Sequence, residues 1–244
     1  MTVIGIFGPT AVGKTGVAIA LAELLREEGK DPVAINCDAL QVYEGLETLT
    51  GAATAEEQAE LEHRLLGFVP ITEDFSVGDY MPLAHAEIDR ALAAGRAPIV
   101  VGGTGLYLRA AVAELSLERR PPGSKDSELW SPETRHPTKI FGLEMDRKQL
   151  YDRIDARTEA IVAAGTIEEV RRADALGPGR TARKALGFDE ILAGDIEAMK
   201  QRSRNYARRQ LTWMRKIPAV QMINRTEHSK KEAAAHIQRI ILTK

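Results

Sequence analysis

Phe7 to Thr15 reads FGPTAVGKT, and this stretch decides the fold. Gly8, Gly13, Lys14 and Thr15 satisfy the spacing G-x-x-x-x-G-K-[ST], with Thr10, Ala11 and Val12 as the loop residues whose backbone amides turn inward. Glycines without side chains let N–H groups crowd onto phosphate oxygens, and the helix that follows adds its dipole. The lysine neutralises charge, and the Thr15 hydroxyl is placed to ligate magnesium. The motif is specific for phosphate and silent on whose phosphate it is. Its flanks supply the required context. TVIGIF, upstream, is a short apolar run that predicts a strand, and TGVAIALAELLREEG, downstream, carries Val17, Leu21, Leu24 and Leu25 at helical spacing.

Further out, Asp31-Pro32 breaks the helical pattern and VAINC predicts a second strand ending at Asp38. Residues 55–65 predict a charged helix and 76–94 a longer one capped by Ser76. APIVVGG is nearly continuous in apolar residues, as a central parallel strand covered on both faces must be, and TGLYLRAAVAEL begins another helix. The alternation implies an α/β fold, a doubly wound parallel sheet with the phosphate loop at a strand's carboxyl end, followed by a mostly helical C-terminal half. There TKIFGLEM predicts a strand, residues 147–164, 166–175 and 195–216 predict helices, PAVQMIN a last strand and the tail from Lys230 a closing helix. The segment ERRPPGSKDSELWSPETRHP breaks both periodicities and reads as a connector. The expected division is a phosphate-loop α/β core over 1–113, a connector over 114–136, and a strand plus basic helices over 137–244.

The 244 residues suffice for one large domain or a domain with an appendage, and 44% apolar with 28% charged residues excludes disorder and coiled coil. A single cysteine, Cys37, excludes an internal disulfide framework and suits a reducing compartment. No basic leader and no run near the ~18 apolar residues of a membrane span occurs, so a cytoplasmic protein with no membrane partner is expected. The net charge of −2 conceals a polarity, −9 over residues 1–120 against +7 over 121–244. That polarity fits a polyanionic partner of the second half, although basic helices are also simply solvated.

A phosphate-loop ATPase or GTPase usually adds an aspartate at the end of a second apolar strand to hold magnesium. Here APIVV runs into Gly102, Gly103 and Thr104 instead, which weakens a motor or switch reading and leaves a small-molecule kinase open. The acid at a strand end is Asp38, in NCDALQVYEGL. It could hold magnesium through water, accept a proton from an incoming nucleophile, or only form a turn. Gln41 could bond a base edge or lie on the surface. Thr104 could bond a leaving oxygen, orient Asp38, or cap the helix behind it. In the basic half, Arg153 and Arg157 are four apart and share a helix face, pointed at the crevice or paired with Asp152, Asp155 and Glu159. Lys200 to Lys216 holds seven basic residues and no acid, a pattern that favours nucleic acid, and Tyr206 and Trp213, seven apart on one face, could stack on bases or bury in the core, core being the expected place of Trp213.

In order along the chain, GPTAVGKT, NCDALQVYEGL, HRLLGFVP, VGGTGLYL, LYDRIDART, ARKALGF and YARRQLTWMRK resemble the tRNA dimethylallyltransferase family, from Thr2 to about Lys216. The resemblance implies transfer of a dimethylallyl group from dimethylallyl diphosphate to the exocyclic amine of adenine beside the anticodon, releasing diphosphate, with magnesium (Mg2+) as cofactor. It implies Asp38 as general base, Thr104 near the bridging oxygen and Arg157 on the departing diphosphate. It places Gly8, Thr10, Ala11, Val12, Gly13, Lys14 and Thr15 on the diphosphate, with Thr15 on the metal. For the tRNA anticodon stem-loop it implies Asp38, Ala39, Leu40, Gln41, Arg183, Lys184, Gly187, Phe188, Arg208, Arg209, Gln210, Thr212, Trp213 and Arg215. A monomer is expected. The chain departs from the family in three places. A longer helical insertion after the GGTGLYL helix is shortened, Asp189 follows Gly187-Phe188 where many relatives are basic, and TGAAT lacks a lysine common in relatives. An adenine-nucleotide isopentenyltransferase and a phosphate-loop small-molecule kinase are the alternatives.

Overall fold

The computed structural model describes residues 1–116 and 129–243. Six strands form one sheet, parallel throughout: β1 (Val3–Phe7), β2 (Pro32–Asn36), β3 (His63–Arg64), β4 (Ala97–Gly102), β5 (Thr138–Glu144) and β6 (Gln221–Asn224), in the spatial order β3-β2-β4-β1-β5-β6. β1, β2 and β4 are buried along their whole length, which is why they are apolar without alternation. Their side chains nevertheless divide by face. Ile4, Ile6, Ile99 and Val101 join one core layer with α1 (Lys14–Glu27) and α10 (Lys230–Leu242), while Val3, Phe7 and Val100 join the other with α4 (Val77–Ala93) and α5 (Gly105–Val112). The connections leaving β1 and β4 run in opposite directions on opposite faces, and this opens a crevice at the strands' carboxyl ends.

The expected helix over 55–65 is corrected. α3 covers only Ala55–Glu60, and Leu61, extended and fully buried, turns the chain so that His63 pairs with Ala34 at the sheet edge. Helical charge periodicity lost there to the unpaired backbone of β2. Ser76 does cap α4, in a reciprocal box with Asp79. α6 (Arg147–Ala163), α7 (Thr166–Ala175) and α9 (Ile196–Met214) occupy the expected places. Two short helices unmarked in the sequence pattern, α2 (Glu47–Thr50) and α8 (Phe188–Ala193), lie beside the crevice, and a 3-10 turn, Ala182–Lys184, precedes α8. β5, β6 and α10 complete the same sheet and core layers as the first half.

Of the connector over 114–136, residues 117–128 lie outside the described residues. Its two ends meet. The Arg135 amide donates to the Val112 carbonyl (2.9 Å), and its guanidinium pairs with Glu114 and with Asp89 (2.8 Å), which also holds His136 (2.6 Å). The buried Arg109 side chain donates to the carbonyls of Leu129 (2.9 Å) and Ser131 (2.8 Å), fastening the returning strand of chain to α5.

Candidate active site

The loop after β1 reaches its turn through two left-handed residues, Ala11 (φ 63°) and Gly13 (φ 93°), and α1 begins at Lys14. Lys14 Nζ is folded back on the carbonyls of Gly8 (3.1 Å) and Pro9 (3.0 Å). Burial lowers its pKa to about 8, against the pull of Asp38, with Arg157 adding to the depression. An arriving anion therefore meets an ammonium group already short of compensation. A cavity of about 350 Å³ opens over this loop, lined by Gly13, Lys14, Thr15, Arg153 and Arg157.

Asp38 stands just past β2. Its Oδ1 accepts the Leu40 amide (3.1 Å), so one oxygen does the work of a turn former. The other points into the cleft. A Cβ on Gly103 would lie 3.0 Å from Asp38 Oδ2, 3.5 Å from Lys14 Nζ and 2.5 Å from Gln210 Nε2, so only glycine leaves room where these groups converge. Thr104 begins α5 without capping it through its side chain. Its Oγ1 instead accepts the Ala39 amide (3.1 Å) and bonds the Tyr206 hydroxyl, whose pKa burial raises. Thr104 thereby orients the segment that carries Asp38.

Neither Arg153 nor Arg157 pairs with the acids of its own helix. Asp155 takes a two-pronged bond from Arg204 (2.9 Å each), Glu159 pairs with Lys200 (2.9 Å) and Asp152 with Lys148 (3.4 Å). Arg157 turns inward and donates to the Thr50 carbonyl (3.0 Å), its pKa lowered by burial. Gln41 grips the same turn, its Nε2 donating to Thr50 (3.3 Å) and Gly51 (3.1 Å), so its amide nitrogen braces the cleft wall. A second, smaller cavity of about 70 Å³ shares Lys14, Gln41 and Arg157 with the first and adds Thr10, Asp38 and Tyr206.

The basic run divides. Lys200, Arg202 and Arg204 are neutralised by Glu159, Glu190 and Asp155, acids supplied by other helices and invisible within the run itself. Arg208, Arg209, Arg215 and Lys216, toward the end of α9, have no carboxylate in ion-pair range among the described residues; Arg209 lies over the Tyr206 ring (5.5 Å) and Lys216 over Trp130 (5.7 Å). Three residues expected at a tRNA surface lie inward instead. Gln210 is 4% exposed, its Oε1 accepting the Thr10 amide (2.9 Å) and its Nε2 donating to the Gly103 carbonyl (2.7 Å), so it ties the phosphate loop to the GGTG loop. Phe188 is fully buried in the core, and Gly187 is wedged against Met199. Trp213 is half-buried against Trp130, ring centres 4.7 Å apart. Arg183 pairs with Asp174 (2.8 Å) and Asp189 (3.1 Å), while Lys184 and Thr212 are exposed. Sequence reasoning missed Met199 and Ser203 and gave Tyr206 and Gln210 to nucleic acid, whereas the four together form the face of α9 that closes the smaller cavity. Spacings of four, three and four mark it as one helical stripe, and its mixture of polar and apolar types hid it.

A phosphate loop facing a carboxylate across a cleft lined by basic side chains defines a class of enzyme, one that breaks a bond to a phosphate or diphosphate and hands the group on to an acceptor. The chain belongs to the IPP transferase family, whose model matches residues 41–131 and 118–217. It is 33% identical to a tRNA dimethylallyltransferase of Thermobifida fusca over 282 residues, covering 90% of this chain and 88% of that one. With the tRNA dimethylallyltransferase of Rhodospirillum centenum it is 36% identical, covering 85% and 86%. The crystal structure of a tRNA isopentenylpyrophosphate transferase from Bacillus halodurans superposes with a TM-score of 0.85 at 28% identity, covering 98% of this chain and 95% of that one. The Thermobifida match runs over 282 positions against 244 residues here, so that relative carries stretches without a counterpart in this chain.

Proposed function

We propose that this protein transfers a dimethylallyl group from dimethylallyl diphosphate to the exocyclic amine of an adenine beside the anticodon of tRNA. The observation that carries the reading is the convergence of Asp38 Oδ2, Lys14 Nζ and the glycine-cleared backbone of Gly103 on one point, with Arg157 in the same cavity. There the bond from the allylic carbon to the bridging oxygen breaks, its electron pair leaving with the diphosphate. The amine nitrogen bonds the allylic carbon, and its proton passes to Asp38. Lys14 and Arg157 neutralise the charge that grows on the departing oxygens in a site where burial strengthens the interaction. The Thr15 hydroxyl, on the wall of the larger cavity, is the protein oxygen that would hold a magnesium ion at the diphosphate. Such an ion would supply further charge neutralisation on the leaving group. The adenine leaves the anticodon-loop stack, at a cost of a few kcal/mol, and the unpaired cations of α9 are suited to the flanking phosphates.

The test incubates the protein with labelled dimethylallyl diphosphate and either an anticodon stem-loop or adenosine monophosphate. Label is expected in the stem-loop. Label in the mononucleotide alone selects the free-nucleotide reading, which the shortened connector favours, and phosphoryl transfer from ATP without prenyl transfer selects a kinase.

A further inference from the structure

The two cavities over the phosphate loop are not equivalent. Lys14 and Arg157 line both, Asp38 lines only the smaller, and Arg153 lines only the larger, beside Gly13, Thr15 and Gly16. The far part of the larger cavity thus lies away from the carboxylate. A further cation arrives there from the turn between β6 and α10. A Cβ on Gly13 would lie 3.6 Å from Arg153 Nη2 and 3.8 Å from Arg225 Nη2, so two guanidinium groups meet over one glycine.

No carboxylate compensates either charge. Among the described residues Arg153 makes no hydrogen bond or ion pair, and the Arg225 side chain donates only to the His228 carbonyl, its Nε buried without a partner. Glu232, which attracts Arg225, is spent on the Ser229 amide (2.8 Å), and Glu57, on the wall of the larger cavity, on the Thr54 amide (3.0 Å). Burial lowers the Arg225 pKa and the neighbouring Arg153 lowers it further, as two repelling cations must. The fold holds them together all the same. The Arg225 amide donates to the Glu144 carbonyl (2.7 Å) at the end of β5, and Thr226 Oγ1 accepts the amide of Asp146 (2.6 Å), the residue that caps α6 and so fixes the helix carrying Arg153. Two forked cations held rigidly on one point suit a phosphate, whose oxygens both can bridge.

Resting on the prenyl-transfer reading, we infer that Arg225, together with Arg153, grips the terminal phosphate of the donor, and that this outer grip makes the enzyme demand a diphosphate. Lys14 and Arg157, which share the smaller cavity with Asp38, serve the phosphate joined to the allylic carbon. A monophosphate reaches only that inner pair and leaves the outer two cations repelling one another.

Calorimetry measures the affinity of wild type, Arg225→Gln and Arg153→Gln for inorganic pyrophosphate and for dimethylallyl monophosphate, and steady-state kinetics gives KM for dimethylallyl diphosphate and for an anticodon stem-loop. Each variant should bind pyrophosphate about 10-fold or more weakly, the loss expected of one charged hydrogen-bonding partner, with KM for the donor raised in step. Affinity for the monophosphate and KM for the stem-loop should hardly change. Arg153→Gln breaks no bond, so it keeps the test decisive even where Arg225→Gln does not fold; its Tm without ligand should equal or exceed that of wild type, because a repulsion is relieved, and a lower Tm would make Arg153 a structural residue and remove it from the grip. Unchanged pyrophosphate affinity in both variants, or an equal loss for the monophosphate, overturns the outer grip, as does a raised KM for the stem-loop alone, which gives the pair to an RNA phosphate. A wild type that transfers no prenyl group while the variants still lose pyrophosphate removes the prenyl reading and keeps the grip on a diphosphate.

Discussion

Replacing Gln210 by leucine separates a brace from an RNA contact. The side chain is buried on α9, accepts the Thr10 amide at 2.9 Å and donates to the Gly103 carbonyl at 2.7 Å, so it links the two loops that carry the phosphate site and the glycine clearance. Leucine fills similar volume and makes neither bond. The Gly103 carbonyl is left buried and unpaired, a loss of about 1–3 kcal/mol, while the Thr10 amide at the cleft edge regains water and adds about 1 kcal/mol. A total of about 2–4 kcal/mol corresponds to a fall of roughly 4–16 °C in Tm for a chain of this size. Because the loops are then free to drift, turnover should fall on the order of 10-fold or more while KM for the stem-loop changes little. Thermal unfolding and steady-state kinetics measure both. A variant with wild-type Tm and kcat but a raised KM for RNA would refute the reasoning and return Gln210 to the nucleic-acid surface.

Asp38→Asn should abolish transfer and leave pyrophosphate affinity nearly intact by calorimetry; an equal loss of both would remove Asp38 from the base role. Lys14 binds anions as its protonated form, and in the free protein its pKa is lowered to about 8. Pyrophosphate affinity should therefore be full below that pH and decline as pH rises through it, with proton uptake on binding; a flat profile from pH 7 to 9.5 would contradict the shift. Charge reversal at Arg208 and Arg209 should weaken tRNA binding and flatten the slope of log affinity against log salt by more than about 1. Arg204→Ala, which breaks the bond to Asp155, should instead cost about 1 kcal/mol of stability and leave the salt slope alone.

The phosphate loop and the strands around it were legible because glycine spacing and unbroken apolar runs report directly on backbone contact and two-sided burial. Asp38 was legible from position alone, as the acid at a strand's carboxyl end. Arg157 and Arg153 were ambiguous, since the fate of Asp155 and Glu159 depends on α9, about fifty and forty residues away along the chain. The same distance misrepresented the basic run, where a charge count without partners overstates what is free. Gln210 and Phe188 were assigned to RNA by resemblance, which carries a motif's location but not the direction in which each side chain points. α8 is six residues long and begins at a left-handed glycine, too short for helical periodicity to register.

Glu114 and Arg135 bring the connector's departure and return side by side, with His136 and Asp89 completing the clasp. A segment inserted beyond these clasped ends would join the fold through a pinched neck, so the length of such an insert is uncoupled from the sheet. Doubling such a tether costs only about 0.6 kcal/mol in closure entropy. This neck is thus a place where a lineage can gain or shed a whole appendage without retuning the catalytic crevice, and where a fluorescent or affinity module could be grafted at little expense to the fold.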